Sequence, residues 1–186
     1  MIAAESAVPD LVRIETPRLL LRRWRSSDVA PLAAVQADPE VMRWIRDGSV
    51  RDEEETRAGI EVYEASWRER GFGLFAVEVR ETGELAGFAG LAVPHFLPEV
   101  LPAVEIGWRL GREFWGRGLA TEAARAALDF GFRECGLDRI LSIVQEGNTA
   151  SERVTQKLGM RLDRETVDPA TGRATRIFAI DAPTAG

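Results

Sequence analysis

From Arg109 to Ala123 the chain reads Arg-Leu-Gly-Arg-Glu-Phe-Trp-Gly-Arg-Gly-Leu-Ala-Thr-Glu-Ala, an alternating segment that runs out into glycines before a helical pattern begins. Gly116 and Gly118 remove side chains where the backbone must turn, and Ala120, Thr121 and Glu122 open a helical run. Several N–H groups without intrahelical acceptors then point outward together. Such a mouth attracts phosphate, and Arg112 and Arg117 add two cations beside it in a chain whose net charge is −6. The plain alternative is a strand-to-helix loop whose glycines serve the turn alone. A dinucleotide-binding reading expects its glycines on the first strand of a βαβ unit, whereas these come past mid-chain, after a hairpin. A P-loop needs Gly-Lys followed by Ser or Thr, which is absent.

Just upstream, residues 103–110 alternate so that Val104, Ile106, Trp108 and Leu110 share one face while Glu105, Gly107 and Arg109 share the other. Two readings stay open. Glu105 and Arg109 form an ion pair on a solvated face, or the strand is central in a helix-covered sheet and its one carboxylate faces a cleft, placed to accept a proton. Further on, Asn148 and Ser151 sit where an amphipathic helix begins, and turn and cap duties alone would explain both. His95, the sole histidine, lies between Pro94 and Pro98 with no partner in sight, which reads as a loop residue in preference to a general base.

Three segments in order carry a family resemblance: Val104-Glu105-Ile106-Gly107-Trp108-Arg109-Leu110, then Trp115-Gly116-Arg117-Gly118-Leu119-Ala120-Thr121-Glu122-Ala123, then residues 148–160 from Asn148-Thr149-Ala150-Ser151 to Leu158-Gly159-Met160. Together they resemble the GNAT superfamily of acetyl-CoA-dependent N-acetyltransferases. The likeness is strongest to its Rim-type branch, whose members acetylate N-terminal amines of ribosomal proteins. Where many members of the superfamily have Gln or Arg at the start of the pyrophosphate motif, this chain has Trp115, an aromatic common in that branch. The resemblance implies acetyl-CoA as co-substrate, with its pyrophosphate on the loop of Arg112, Gly116, Arg117, Gly118, Leu119, Ala120 and Thr121. It implies a bulged strand separating from its neighbour, so that backbone groups of Trp108, Arg109 and Leu110 pair with the pantetheine arm. Asn148 would hydrogen-bond that arm and Ser151 would lie near the thioester sulfur. Many members protonate the leaving thiolate with a tyrosine on this helix. The only tyrosine here is Tyr63, far upstream, so Ser151 inherits that role by position while Glu105 takes the acceptor's proton.

The elements that must position these groups follow from periodicity. An apolar run from Arg13 to Trp24 makes a first strand, Ser26 to Asp28 offer an N-cap for a helix through Gln36, and Asp38-Pro39-Glu40 starts a short helix. Residues 51–70 form a third helix, with Ile60, Tyr63 and Trp67 at helical spacing. Met42, Trp44, Tyr63 and Trp67 suit core packing, and the resemblance makes one or two of them walls of the acceptor cleft. A hairpin over 74–93, the strand at 103–110, an alanine-rich helix over 119–134, a strand at 138–144, the helix after Asn148 and a last hairpin complete the chain. The fold class is α/β, an α+β arrangement with about six or seven strands in a twisted sheet flanked by about four helices. The resemblance makes that sheet mixed, mostly antiparallel and centrally splayed.

With 186 residues, 45% of them hydrophobic, one domain suffices, taken as 13–181 with tails at 1–12 and 182–186. Acidic residues outnumber basic ones 30 to 24, which argues against nucleic acid or anionic membrane as partner and suits an amine-bearing or cationic acceptor. Cys135 is the only cysteine, so neither an intrachain disulfide nor a thiolate metal cluster is expected, and no metal is needed. Residues 1–10 lack the pattern of an export signal, and no run of about 18 apolar residues occurs; the cytoplasm is the expected location. The reading is transfer of acetyl to a primary amine, with the α-amine of a protein N-terminus favoured, in a monomer or homodimer. A small-molecule amine as acceptor and a non-catalytic acyl-CoA-binding module are the alternatives.

Overall fold

The computed structural model describes residues 12–183, so of the expected tails at 1–12 and 182–186 only residues 12, 182 and 183 are among the described residues. The elements are β1 (Ile14–Glu15), β2 (Leu19–Arg22), α1 (Val29–Gln36), α2 (Pro39–Met42), α3 (Glu53–Arg70), β3 (Leu74–Val79), β4 (Leu85–Ala92), β5 (Glu105–Leu110), α4 (Leu119–Arg133), β6 (Arg139–Gln145), α5 (Thr149–Lys157), β7 (Arg161–Val167) and β8 (Ala174–Asp181). The strands form one eight-stranded sheet in the order β1-β2-β3-β4-β5-β6-β8-β7. The count exceeds the expected six or seven because the first apolar run is broken at Thr16-Pro17-Arg18. Pro17 has no N–H for a ladder, and the Thr16 hydroxyl accepts from the Leu19 N–H at 3.0 Å, turning the chain back so that β1 pairs with β2.

Local chemistry sets the helices. Asp52 caps α3 by accepting from the Glu55 N–H at 2.9 Å while Glu55 accepts from the Asp52 N–H at 3.0 Å, and Gly71 closes the other end at φ 75°. The cap expected from Ser26 to Asp28 takes another form. Asp28 turns its carboxylate to the Arg25 N–H at 2.7 Å and takes both terminal nitrogens of buried Arg22, at 2.7 and 2.8 Å. In α4, Ala123, Ala124 and Ala127 are fully buried. A methyl added at Gly131 would come within 2.8 Å of Ile140 Cδ1, so the helix seats directly on the sheet. This α4 face carries the main core, with Leu19, Leu21, Phe75, Leu91, Ile106 and Leu119. Trp24, Leu32, Ile60, Leu74 and Phe88 form a second cluster with Val29 and Tyr63, where α1 and α3 pack.

All neighbours in the sheet are antiparallel except β5 and β6, which run parallel and share a single register pair, Glu105 opposite Leu141. The Leu141 N–H donates to the Val104 carbonyl at 2.9 Å, and past that point the strands part. No bulge in β5 causes the separation. The ladder between β4 and β5 runs unbroken from Gly87 opposite Leu110 to Ala92 opposite Glu105, whereas β6 turns away to pair with β8 over all seven of its residues. Because backbone groups alternate sides along a strand and Val104 faces β6, the N–H and C=O groups of Ile106, Trp108 and Leu110 face the gap. Those of Arg109 face β4.

Candidate active site

The gap opens into a cleft of about 440 Å³ bounded by Trp108 to Leu110, by Gly116 and Gly118 to Thr121, and by Asn148, Ser151, Val154 and Lys157 of α5 with its cap. Gly116 and Gly118 hold φ of 71° and 77°, the left-handed region in which glycine is at ease, and a methyl at Gly116 would meet nothing within 4 Å. Gly118 is the N-cap of α4, which leaves the N–H groups of Leu119, Ala120 and Thr121 without helical acceptors. Beneath this mouth Glu122 accepts from the Thr16 hydroxyl at 2.7 Å, from the Arg18 N–H at 2.9 Å and from Arg18 Nε at 2.7 Å, while Arg18 Nη1 donates to the Arg117 carbonyl at 2.8 Å. The loop is therefore clamped to the turn between β1 and β2. On the strand side, Trp115 Nε1 donates to the Leu110 carbonyl at 2.8 Å.

Of the two cations expected at the mouth, Arg112 is turned away to Asp38, Nε to Oδ2 at 2.6 Å, and lines a separate depression with Gly83 and Val35. Arg117 is exposed and does not line the cleft. Arg153 and Lys157 do, one turn apart on α5, and a helical projection from Asn148 would have brought them forward. Trp44 and Ile45 also line it, whereas Met42 and Trp67 are core, 1% and 0% exposed. His95 is an exposed loop residue.

Asn148 caps α5 through its side-chain oxygen, which accepts from the Ser151 N–H at 3.2 Å. The Asn148 amide nitrogen and the Ser151 hydroxyl have no protein partner among the described residues, and both residues line the cleft across from Trp108 and Leu110. Cap duty therefore leaves free the groups that could meet a ligand.

Glu105, Gly107 and Arg109 lie on the opposite face of β5. Among the described residues Glu105 and Arg109 form no ion pair, which overturns the solvated-pair alternative. Burial pushes the Glu105 carboxyl up to about 8, opposed only by the charge of Arg46. Arg46 itself, at φ 52°, is held by Asp168 at 2.9 Å and lies over the Phe96 ring at 4.6 Å. Arg109 stacks on its cross-strand neighbour Phe88 at 4.9 Å, and its Nε and Nη1 are buried without a hydrogen-bond partner. Burial brings this guanidinium down to about 10, with Tyr63 opposing the shift and Arg51 adding to it. Between the two, a methyl at Gly107 would meet nothing within 4 Å, so carboxyl and guanidinium stand at either end of open space.

Residues 18–161 match the family model described as acetyltransferase (GNAT) domain, and the chain belongs to the GNAT acetyltransferases. The uncharacterized Bacillus subtilis protein YkkB is 34% identical over 153 residues, 82% of this chain and 87% of its own. The crystal structure of a GNAT-family acetyltransferase from Bacillus anthracis superposes with a TM-score of 0.77 at 28% identity, covering 91% of this chain and 98% of that one. RimL, described as a ribosomal L7/L12 alpha-N-protein acetyltransferase in complex with coenzyme A, shares the fold at a TM-score of 0.74 and 20% identity over 92% of this chain and 98% of its own. The protein is accordingly an acetyltransferase of mixed, mostly antiparallel α/β fold, and acetyl-CoA is its co-substrate. The unpaired edge of β5, the glycine loop and the two cations of α5 suit that molecule's arm and phosphates. Among the described residues no group of three or more His, Cys, Asp or Glu could hold a metal ion, and no helix is long and apolar enough to cross a membrane.

Proposed function

We propose that the protein transfers acetyl from acetyl-CoA directly to a primary α-amine, that of a protein or peptide N-terminus, in the cytoplasm. The observation that carries this reading is Glu105, a half-buried carboxyl with a pKa of about 8 placed where β5 and β6 part and beside the open space over Gly107. An α-ammonium has a pKa near 7.7–8.0, and a carboxyl raised by burial takes its proton more readily than an ordinary carboxylate would. A lysine ammonium near 10.4 would have to be stripped at a cost of about 3 kcal/mol. Acetyl-CoA, when bound, supplies an acyl carbon open to attack by a neutral amine. The chain's own work is to align it through the Trp108 and Leu110 backbone groups, Asn148 and the glycine loop, to take the amine's proton at Glu105, and to offer the Ser151 hydroxyl to the departing sulfur.

RimL, similar in fold, is described as acetylating such an α-amine. The test is incubation with acetyl-CoA, a thiol-detecting dye and peptides that carry both a free N-terminus and internal lysines, followed by mass spectrometry. Acetyl on the N-terminal nitrogen is expected. Acetyl mainly on lysines, with N-termini free, overturns the α-amine assignment.

A further inference from the structure

The chain is acidic overall, yet the face of β5 that bears Glu105 is locally basic. Arg109 makes no side-chain hydrogen bond or ion pair among the described residues, and two of its nitrogens are sealed from solvent. A guanidinium is never discharged at neutral pH, so N–H groups buried without acceptors are a costly arrangement unless an anion arrives to meet them. Nothing nearby serves. The neighbours that bear on Arg109 are the Tyr63 phenol and a second cation, Arg51, which also forms no ion pair among the described residues. The Arg51 Nη1 and the Tyr63 hydroxyl lie 3.8 and 3.7 Å from the point that a methyl on Gly59 would occupy, so Arg51, just ahead of α3, and Tyr63 on it come together beside that glycine. Arginine's planar fork suits a carboxylate, and a phenol hydroxyl beside it can donate a further hydrogen bond.

Resting on the reading of the site as an amine acetyltransferase, we propose that Arg109, with Arg51 and Tyr63, binds a carboxylate of the acceptor, and that the acceptor is a peptide N-terminus with Asp or Glu among its first residues. Spacing sets the placement of that carboxylate. Glu105 and Arg109 are four residues apart on one strand, about 13 Å between Cα atoms, with Gly107 leaving the path between them open. The α-carboxylate of a free amino acid lies only about 3 Å from its amine and cannot span that path, whereas a side chain one or two residues along a peptide can. A polycationic acceptor would meet the same two arginines as like charges and be turned away.

The test uses the intact protein and three blocked-lysine peptides that differ only at positions two and three: Asp-Glu, Asn-Gln or Lys-Lys. The acidic peptide is expected to have kcat/KM at least about tenfold above the amide peptide, and the basic peptide to be poorest. Arg109→Gln should collapse the ratio of acidic to amide peptide toward one, chiefly through KM of the acidic peptide, and Arg109→Lys should restore part of it. Should Arg109→Gln fail to fold, Arg51→Gln is expected to shrink the same ratio by a smaller factor. Equal use of all three peptides by the wild type, a ratio unmoved in both glutamine variants, or turnover of free glutamate in place of the acidic peptide overturns the proposal. Succinate binding measured by calorimetry without acetyl-CoA separates this failure from that of the acetyltransferase reading. Succinate bound by the wild type and lost in Arg109→Gln supports the carboxylate site even if no amine is acetylated, whereas acetylation blind to acceptor charge leaves the enzyme and removes the site.

Discussion

Arg112 Nε lies 2.6 Å from Oδ2 of Asp38, joining the turn after β5 to the N-cap of α2. With its side chain 57% exposed, Arg112 is held to a carboxylate and its charge is partly cancelled before any phosphate arrives. Arg112→Ala is therefore expected to change the dissociation constant of acetyl-CoA by less than about twofold. Arg153→Ala and Lys157→Ala should each weaken it by about threefold or more, with a shallower salt dependence. Calorimetry across a range of ionic strength checks both halves.

Gly118→Glu strains a backbone at φ 77° and sets a carboxylate among the N–H groups that open α4. Added strain of about 1 kcal/mol lowers Tm by a few degrees. Acetyl-CoA affinity should fall by about a hundredfold or more, because the anion site is both blocked and repelled. A folded variant that keeps wild-type affinity places the pyrophosphate elsewhere.

Glu105→Gln removes the proton acceptor. Turnover on peptide N-termini should drop by about 10²–10⁴-fold. In the wild type kcat/KM should climb as pH rises toward about 8, where the carboxyl ionises, and level off above it. The glutamine variant should recover in part at high pH, where solution supplies neutral amine. A pH profile indistinguishable from wild type, at wild-type rate, removes Glu105 from the chemistry.

The same residue predicts a stability effect of definite sign. Burial raises its folded pKa from 4.5 to about 8, so the protonated form is the favoured one in the fold. That contribution is complete below about 4.5 and is lost as pH climbs through about 8. The unfolding free energy of Glu105→Gln minus that of the wild type should therefore grow over this window and become constant above it, amounting at the plateau to about 1–3 kcal/mol for a half-buried site and appearing as a rising Tm difference. Scanning calorimetry of the two proteins from pH 4.5 to 9 measures it, and a difference that shrinks with pH contradicts the burial of this carboxyl.

Ser151→Ala should cost about tenfold in kcat with little change in acetyl-CoA affinity, since a thiol of pKa near 8.5 already leaves tolerably at neutral pH. Asn148→Ala differs, because its oxygen also caps α5. A stability loss of about 1 kcal/mol is expected along with weaker acetyl-CoA binding, seen together in thermal melts and calorimetry.

What periodicity and capping chemistry control was legible in the sequence. The alternation of β5, the glycine loop and the alanine-lined face of α4 are all local. The strand order and the departure of β6 toward β8 were not, since they depend on which surfaces meet after collapse. Arg112 looked free because its partner Asp38 is 74 residues away, and Arg46 drew no attention because Asp168 is 122 residues away. The overall charge points to an amine-bearing or cationic acceptor and carries no information on a single position such as Arg109, a guanidinium buried against Phe88.

The parting of β5 from β6 leaves an unfinished ladder inside the sheet, and whatever occupies that edge also holds the fold together. A co-substrate present at a hundred times its dissociation constant adds about 2.7 kcal/mol of stability, so the lifetime of this chain against proteases should rise and fall with the acetyl-CoA supply around it.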